Sequence, residues 1–104
     1  MNGHNSQLAV FRQDIDTWLD ILNSQRYASE HTLAAYRRDL EKLAQFLTTK
    51  GFQDWAELDQ DRLTHFIGPL LSTNSLLPIS VQRMLSAIRG FYDWLGTQAK
   101  VNYN

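Results

Sequence analysis

Residues 29–51 read SEHTLAAYRRDLEKLAQFLTTKG, and this stretch decides the fold. Leu33, Tyr36, Leu40, Leu43 and Leu47 recur at alternating steps of three and four, which places them on one side of an α-helix. Ser29 stands where a short hydroxyl side chain caps the start of a helix. Gly51 stands where a left-handed residue ends one. Strong start and stop signals around a clean period predict one long amphipathic helix.

The same period extends outward in both directions. Leu8, Phe11, Ile15, Trp18, Leu19 and Leu22 predict a first helix, with Asn5 or Ser6 as its cap and Asn23 and Ser24 at its stop. A loop through Arg26 and Ala28 follows. Asp59 caps a third helix whose inner side is Leu63, Phe66, Ile67 and Leu70, with an end or bend at Gly68 and Pro69. Residues 72–77 read as a loop. Beyond Pro78 a fourth helix carries Val81, Met84, Leu85, Ile88, Phe91, Tyr92 and Leu95 inward and closes near Gly96. No apolar and polar residues alternate over a useful length, so the expected fold is all-α, a compact bundle of four helices.

Composition bounds the function. The 104 residues suffice for one domain, and 43% hydrophobic with 20% charged residues is the balance of a chain that folds. Without cysteine there is no disulfide or thiolate site, so a reducing cytoplasm is the expected compartment. No apolar run approaches the roughly 18 residues of a membrane span, and no membrane partner is expected. His4, His31 and His65 lie too far apart for helical metal-ligand spacing, so neither metal nor other cofactor is expected. Asp14, Asp16 and Asp20 read as the wet side of the first helix rather than as an acid–base pair. No nucleophile, base and orienting group come together, so no catalytic residue is assigned.

The net charge of −1 is low for a nucleic-acid binder, but the charges are segregated. Residues 51–78 hold Asp54, Glu57, Asp59 and Asp61 against Arg62, whereas Arg83, Arg89 and Lys100 outnumber Asp93 after residue 78. Opposite the apolar stripe of the second helix lie His31, Ala35, Arg38 and Lys42, beside the small Ala34. On the fourth helix Arg83, Ser86 and Gly90 lie opposite the core, flanked by Gln82 and Arg89. Small and basic residues on an exposed helix suit a major groove roughly 12 Å wide, although exposed Arg and Lys are also ordinary on a solvated face. The aromatics fall mostly on inward stripes. Trp55 lies between helices, and Trp94 falls off the fourth helix's main stripe as a candidate for outside contacts.

Residues 29–40, SEHTLAAYRRDL, resemble the start of the second helix in the core-binding domain of tyrosine recombinases and phage integrases. Residues 80–95, SVQRMLSAIRGFYDWL, resemble that domain's last helix, in the same order. GFQDW at 51–55 and YDWL at 92–95 are most similar to the XerC branch of the Xer type. The resemblance implies a SAM-like, DNA-gripping domain over 7–99. A flexible tail over 1–6 precedes it, and the start of a linker over 100–104 leads to a catalytic domain absent from the chain. It implies DNA contacts from His31, Thr32, Arg38, Ser80, Gln82 and Arg83, with Lys42 and Arg89 on phosphates and Arg37 nearer the core edge. It also implies a double-stranded recombination site, XerD-like partner subunits in a tetramer on DNA, and a role in resolving chromosome dimers. The isolated domain is expected to be monomeric, with weak affinity. The competing reading is a helical protein-interaction module whose Arg38 face meets an acidic partner.

Overall fold

A computed structural model describes residues 3–101, with side chains from residue 6 onward. Among these residues there are four α-helices, one 3-10 turn and no strand, so the fold is all-α. The helices are α1 (Gly3–Ser24), α2 (Glu30–Thr49), α3 (Gln60–Ser72) and α4 (Pro78–Thr97), and the 3-10 turn η1 (Trp55–Glu57) precedes α3. They divide into two compact units, Met1–Gln53 and Asp54–Asn104. Two residues of the expected tail and three of the expected linker, 1–2 and 102–104, lie outside the described residues.

In the first unit α1 packs along α2 through Phe11, Ile15, Trp18 and Leu19 on one side and Leu40, Leu43 and Leu47 on the other, all buried. Trp18 stacks on Tyr36 with ring centroids 5.9 Å apart. The first helix begins at Gly3 rather than at a cap on Asn5 or Ser6. Its first turns carry no apolar residue before Leu8, so no period marks them. Gln7 Nε2 ties this end down by donating to the Gln53 carbonyl at 2.8 Å. At the other end of α2 the chain turns back at Gly51, whose φ of +82° is the conformation that a side chain opposes. Gly51 N–H donates to Thr48 O and Phe52 N–H to Leu47 O, at 3.0 and 2.9 Å, which satisfies two of the last carbonyls.

The buried arc of α2 is broader than one apolar stripe. Ala35 and Asp39 extend it, at 7% and 0% exposure, so Ala35 does not belong to the solvent stripe expected of it. Ala34 does. A carboxylate removed from water must be partnered, and Asp39 is.

In the second unit Trp55 of η1 is buried edge-on against Phe91, centroids 4.8 Å apart, and Tyr92 Oη donates to the Trp55 carbonyl at 2.6 Å. These contacts fasten the short η1 turn to α4. Asp59 caps α3 by accepting from Arg62 N–H at 2.9 Å. Helix α3 continues through Gly68 and Pro69 to Ser72, past the expected end. The lost Pro69 amide falls in the last turn, where one missing bond disturbs little. Of the inner side expected for α3, only Phe66 is buried; Leu63, Ile67 and Leu70 are half-buried. Val81, Met84, Ala87, Ile88, Phe91 and Leu95 form the buried side of α4.

Candidate nucleic-acid interface

Ser29 fixes the start of α2. Its hydroxyl accepts from Thr32 N–H at 3.2 Å and donates to Thr32 Oγ1 at 3.1 Å, so Thr32 is half-buried in the cap while its own hydroxyl proton stays available. From there the exposed stripe runs His31, Ala34, Arg38, Lys42 and Gln45, at steps of three and four. Ala34 is the smallest of them, a point where another surface can approach the helix backbone.

Ion pairing sorts the charges of α2 into two groups. Arg37 pairs with Asp16 of α1. Glu41 accepts from Arg12 of α1, at 2.9 and 3.0 Å from Nε and 2.5 Å from Nη2, and from Gln45 Nε2 at 3.0 Å. These hydrogen bonds, those of Arg12 foremost, hold the Glu41 carboxyl below its ordinary range against the opposing effect of partial burial. The same bonds raise Arg12. Of the other charges on α2, Asp39 is buried and partnered, and Glu30 in the first turn, Arg38 and Lys42 are exposed and make no ion pair with any described residue. Side-chain pairing with α1 therefore neutralises Glu41 and occupies Arg37, leaving the cations of the solvent stripe uncompensated. Of the five residues expected on this helix, His31, Arg38 and Lys42 share the stripe, Thr32 sits in the cap and Arg37 is drawn toward α1.

Helix α4 begins differently. Pro78 supplies a preset φ at the first helical position, and Leu77 at the N-cap has no side-chain acceptor to offer. The exposed stripe is Ile79, Gln82, Ser86, Arg89 and Asp93. The wheel expected Arg83 and Gly90 at its centre with Gln82 and Arg89 flanking. The structure reverses this: Gln82 and Arg89 are exposed, whereas Arg83, Gly90 and Ser80 are half-buried. Arg83 is engaged with other residues. Arg89 is not, and makes no ion pair among the described residues.

Arg89 also borders a groove of about 570 Å³ in this unit, lined by Leu58, Asp59, Leu63, Leu85 and Tyr92 among others. Burial pushes the Tyr92 hydroxyl far up, and its proton is committed to Trp55, so it is no acid or base at neutral pH. Among the described residues no group of three or more His, Cys, Asp or Glu could hold a metal ion. His65 is exposed on α3. No described helix is long and apolar enough to cross a membrane.

The sequence reading missed Gln45 and Ile79. Gln45 continues the count from His31 by steps of three and four, a signal present in the sequence. Ile79, 68% exposed beside Pro78, breaks the expectation that a large aliphatic side chain turns inward.

Residues 15–99 match the family described as phage integrase, N-terminal SAM-like domain. Among curated proteins, the chain is 39% identical over 92 residues to the tyrosine recombinase XerC of Azotobacter vinelandii, covering 88% of this chain and 30% of that protein. It is 37% identical over 93 residues to the XerC of Pseudomonas aeruginosa, covering 89% and 30%. With the XerC of Xanthomonas campestris it shares 41% over 81 residues, covering 78% and 25%. The chain thus spans less than a third of the length of these relatives. No solved structure matches it.

Proposed function

We propose, from the premise that the chain belongs to the phage integrase N-terminal SAM-like domain family, that it grips double-stranded DNA within a tyrosine site-specific recombination system. Its closest chemistry to that task is electrostatic and steric, since the charged stripe of α2 carries His31, Arg38 and Lys42 around a small Ala34. One observation carries the reading: Arg37 and Glu41 are consumed by α1, while Arg38 and Lys42 stay exposed and unpaired among the described residues. Cations held in water with no internal partner keep their full attraction for phosphate. Helix α4 contributes Gln82, Ser80 and Arg83 toward base edges and Arg89 toward a phosphate.

In this reading the breaking and joining of DNA strands belongs to the part of such recombinases that these residues do not match. The partners are a recombination half-site and neighbouring recombinase subunits, a XerD-like one among them, assembled as a tetramer that resolves chromosome dimers in the cytoplasm. Residues 7–99 form the gripping domain, and residues 100–104 begin the linker onward. The modest net charge implies that this piece alone binds weakly.

Fluorescence anisotropy with a Xer recombination-site duplex and a scrambled duplex, across roughly 50 to 200 mM salt, tests it. Preference for the site supports base readout. Equal and steeply salt-dependent binding reduces the role to a phosphate grip, and absence of binding at the lowest salt favours the protein-interaction reading instead.

A further inference from the structure

Ile79 is the one large aliphatic side chain on the exposed stripe of α4, 68% exposed while Val81, Met84, Ile88 and Leu95 of the same helix are buried. Leu77 is equally exposed but is the N-cap, with extended backbone at φ −71° and ψ 153°, and does not belong to the helical stripe that carries Ile79. The other stripe positions are Gln82, Ser86, Arg89 and Asp93. A protein partner docking through apolar contact would need the apolar face to continue along the helix, and it does not.

We infer that Ile79 is a specificity-determining residue that packs against the C5-methyl of a thymine in the major groove. The inference rests on the reading of this chain as DNA-binding and says which base edge its last helix prefers. Thymine is the base that presents an apolar group in that groove, and an aliphatic side chain meets it without burying an unpaired polar atom. Gln82 falls about 60° from Ile79 on the wheel and one turn further on, so a hydrogen-bonding side chain stands beside the apolar one, and Ser86 continues the same face about 10 Å along the axis. Arg89 lies ten residues on, about 15 Å along the axis. The groove is about 12 Å wide and 8.5 Å deep, so with Ile79 at its floor Arg89 reaches the phosphate rim. Being β-branched, Ile79 has little side-chain freedom to lose on contact. Pro78 immediately before it presets the backbone at the helix start.

Replacing thymine by deoxyuridine removes this methyl and leaves charge and hydrogen bonding unchanged. The chain is used to select a preferred duplex from a randomised pool at low salt. Each thymine of that duplex is then exchanged singly for deoxyuridine and anisotropy titrations are run. One position is expected to weaken the parent chain by roughly three- to fivefold, the value of a lost buried methyl. Ile79→Ala is expected to bind both forms of that position within a factor of about two, and Ile79→Val to retain most of the difference. If every exchange is without effect on the parent, or if Ile79→Ala discriminates as the parent does, the inference is overturned while DNA binding stands. If no duplex is recovered or bound, DNA binding itself fails and this inference with it. Far-UV circular dichroism of Ile79→Ala should match the parent, because the side chain supports no core.

Discussion

Helices α2 and α4 are both 20 residues long, yet they meet solvent in opposite ways. Helix α2 is capped by a side chain, crossed by two ion pairs to α1, and left with Arg38 and Lys42 on its exposed stripe. Helix α4 starts on Pro78 with no side-chain cap, and its stripe carries one cation, Arg89, beside Ile79, Gln82 and Ser86. Two cations attract any duplex, whereas a glutamine, a serine and an isoleucine distinguish one base edge from another. The difference frames a division of work under the proposed DNA-binding reading: α2 would supply sequence-independent grip and α4 discrimination.

The largest expected effect breaks the grip. Reversing both cations of α2, Arg38→Glu with Lys42→Glu, should lower affinity for any duplex by on the order of a hundredfold at low salt. The slope of log affinity against log salt should flatten by about 2, one unit for each phosphate released. Unchanged affinity in anisotropy titrations, with helicity intact, would remove α2 from the interface. Next comes Gln82→Ala on α4, which should reduce the preference for the selected duplex over a scrambled one by about tenfold. The salt slope should stay where it was. A change in slope without a change in preference would exchange the roles of the two helices.

Much of this arrangement is legible in the sequence, and the exceptions have physical causes. Helix α2 is visible because its cap, period and terminal glycine agree. The start of α1 is invisible because Gly3–Gln7 offers no apolar residue to set a phase. Turn η1 is too short for any period, and Trp55 is the one buried residue among its three. On α2 the stripe was displaced from Ala34 to Ala35 because the buried arc is wider than one row of leucines implies. Asp39 stands at i+3 of Tyr36 and i−4 of Leu43, a position that predicts burial, while its charge predicts the reverse. Arg37 and Glu41 are separated from their partners by 21 and 29 residues, and only the fold reveals such pairs. With those pairs known, the cations of the solvent stripe can be told from the structural ones.

The helix starts sharpen the comparison in the currency of stability. Ser29→Ala should destabilise the chain by about 1 kcal/mol, because two first-turn hydrogen bonds at α2 depend on that hydroxyl. Leu77→Asp should stabilise it by up to about 1 kcal/mol. The backbone there, with φ −71° and ψ 153°, already suits a cap, and Leu77 gives up little burial at 68% exposure. Urea denaturation followed by circular dichroism measures both. If Leu77→Asp is destabilising, the start of α4 needs its apolar side chain, and the contrast between the helices lies in their stripes alone.

The smallest effect concerns acid. Arg12 holds the Glu41 carboxyl below its ordinary value of 4.5, so the folded state binds that proton less readily than the unfolded chain does. The stabilisation is fully present above the unfolded value and is lost as the pH falls through the lower, folded one. Glu41→Gln should therefore cost stability near neutral pH and progressively less toward pH 3, by a few tenths of a kcal/mol because the pair is partly exposed. Denaturation of parent and variant across that range measures the difference. A constant difference would mean that Arg12 does not hold Glu41 in solution. Glu41 would then be free to pair with Arg38, three residues before it on α2, and the uncompensated stripe that separates α2 from α4 would shrink to Lys42.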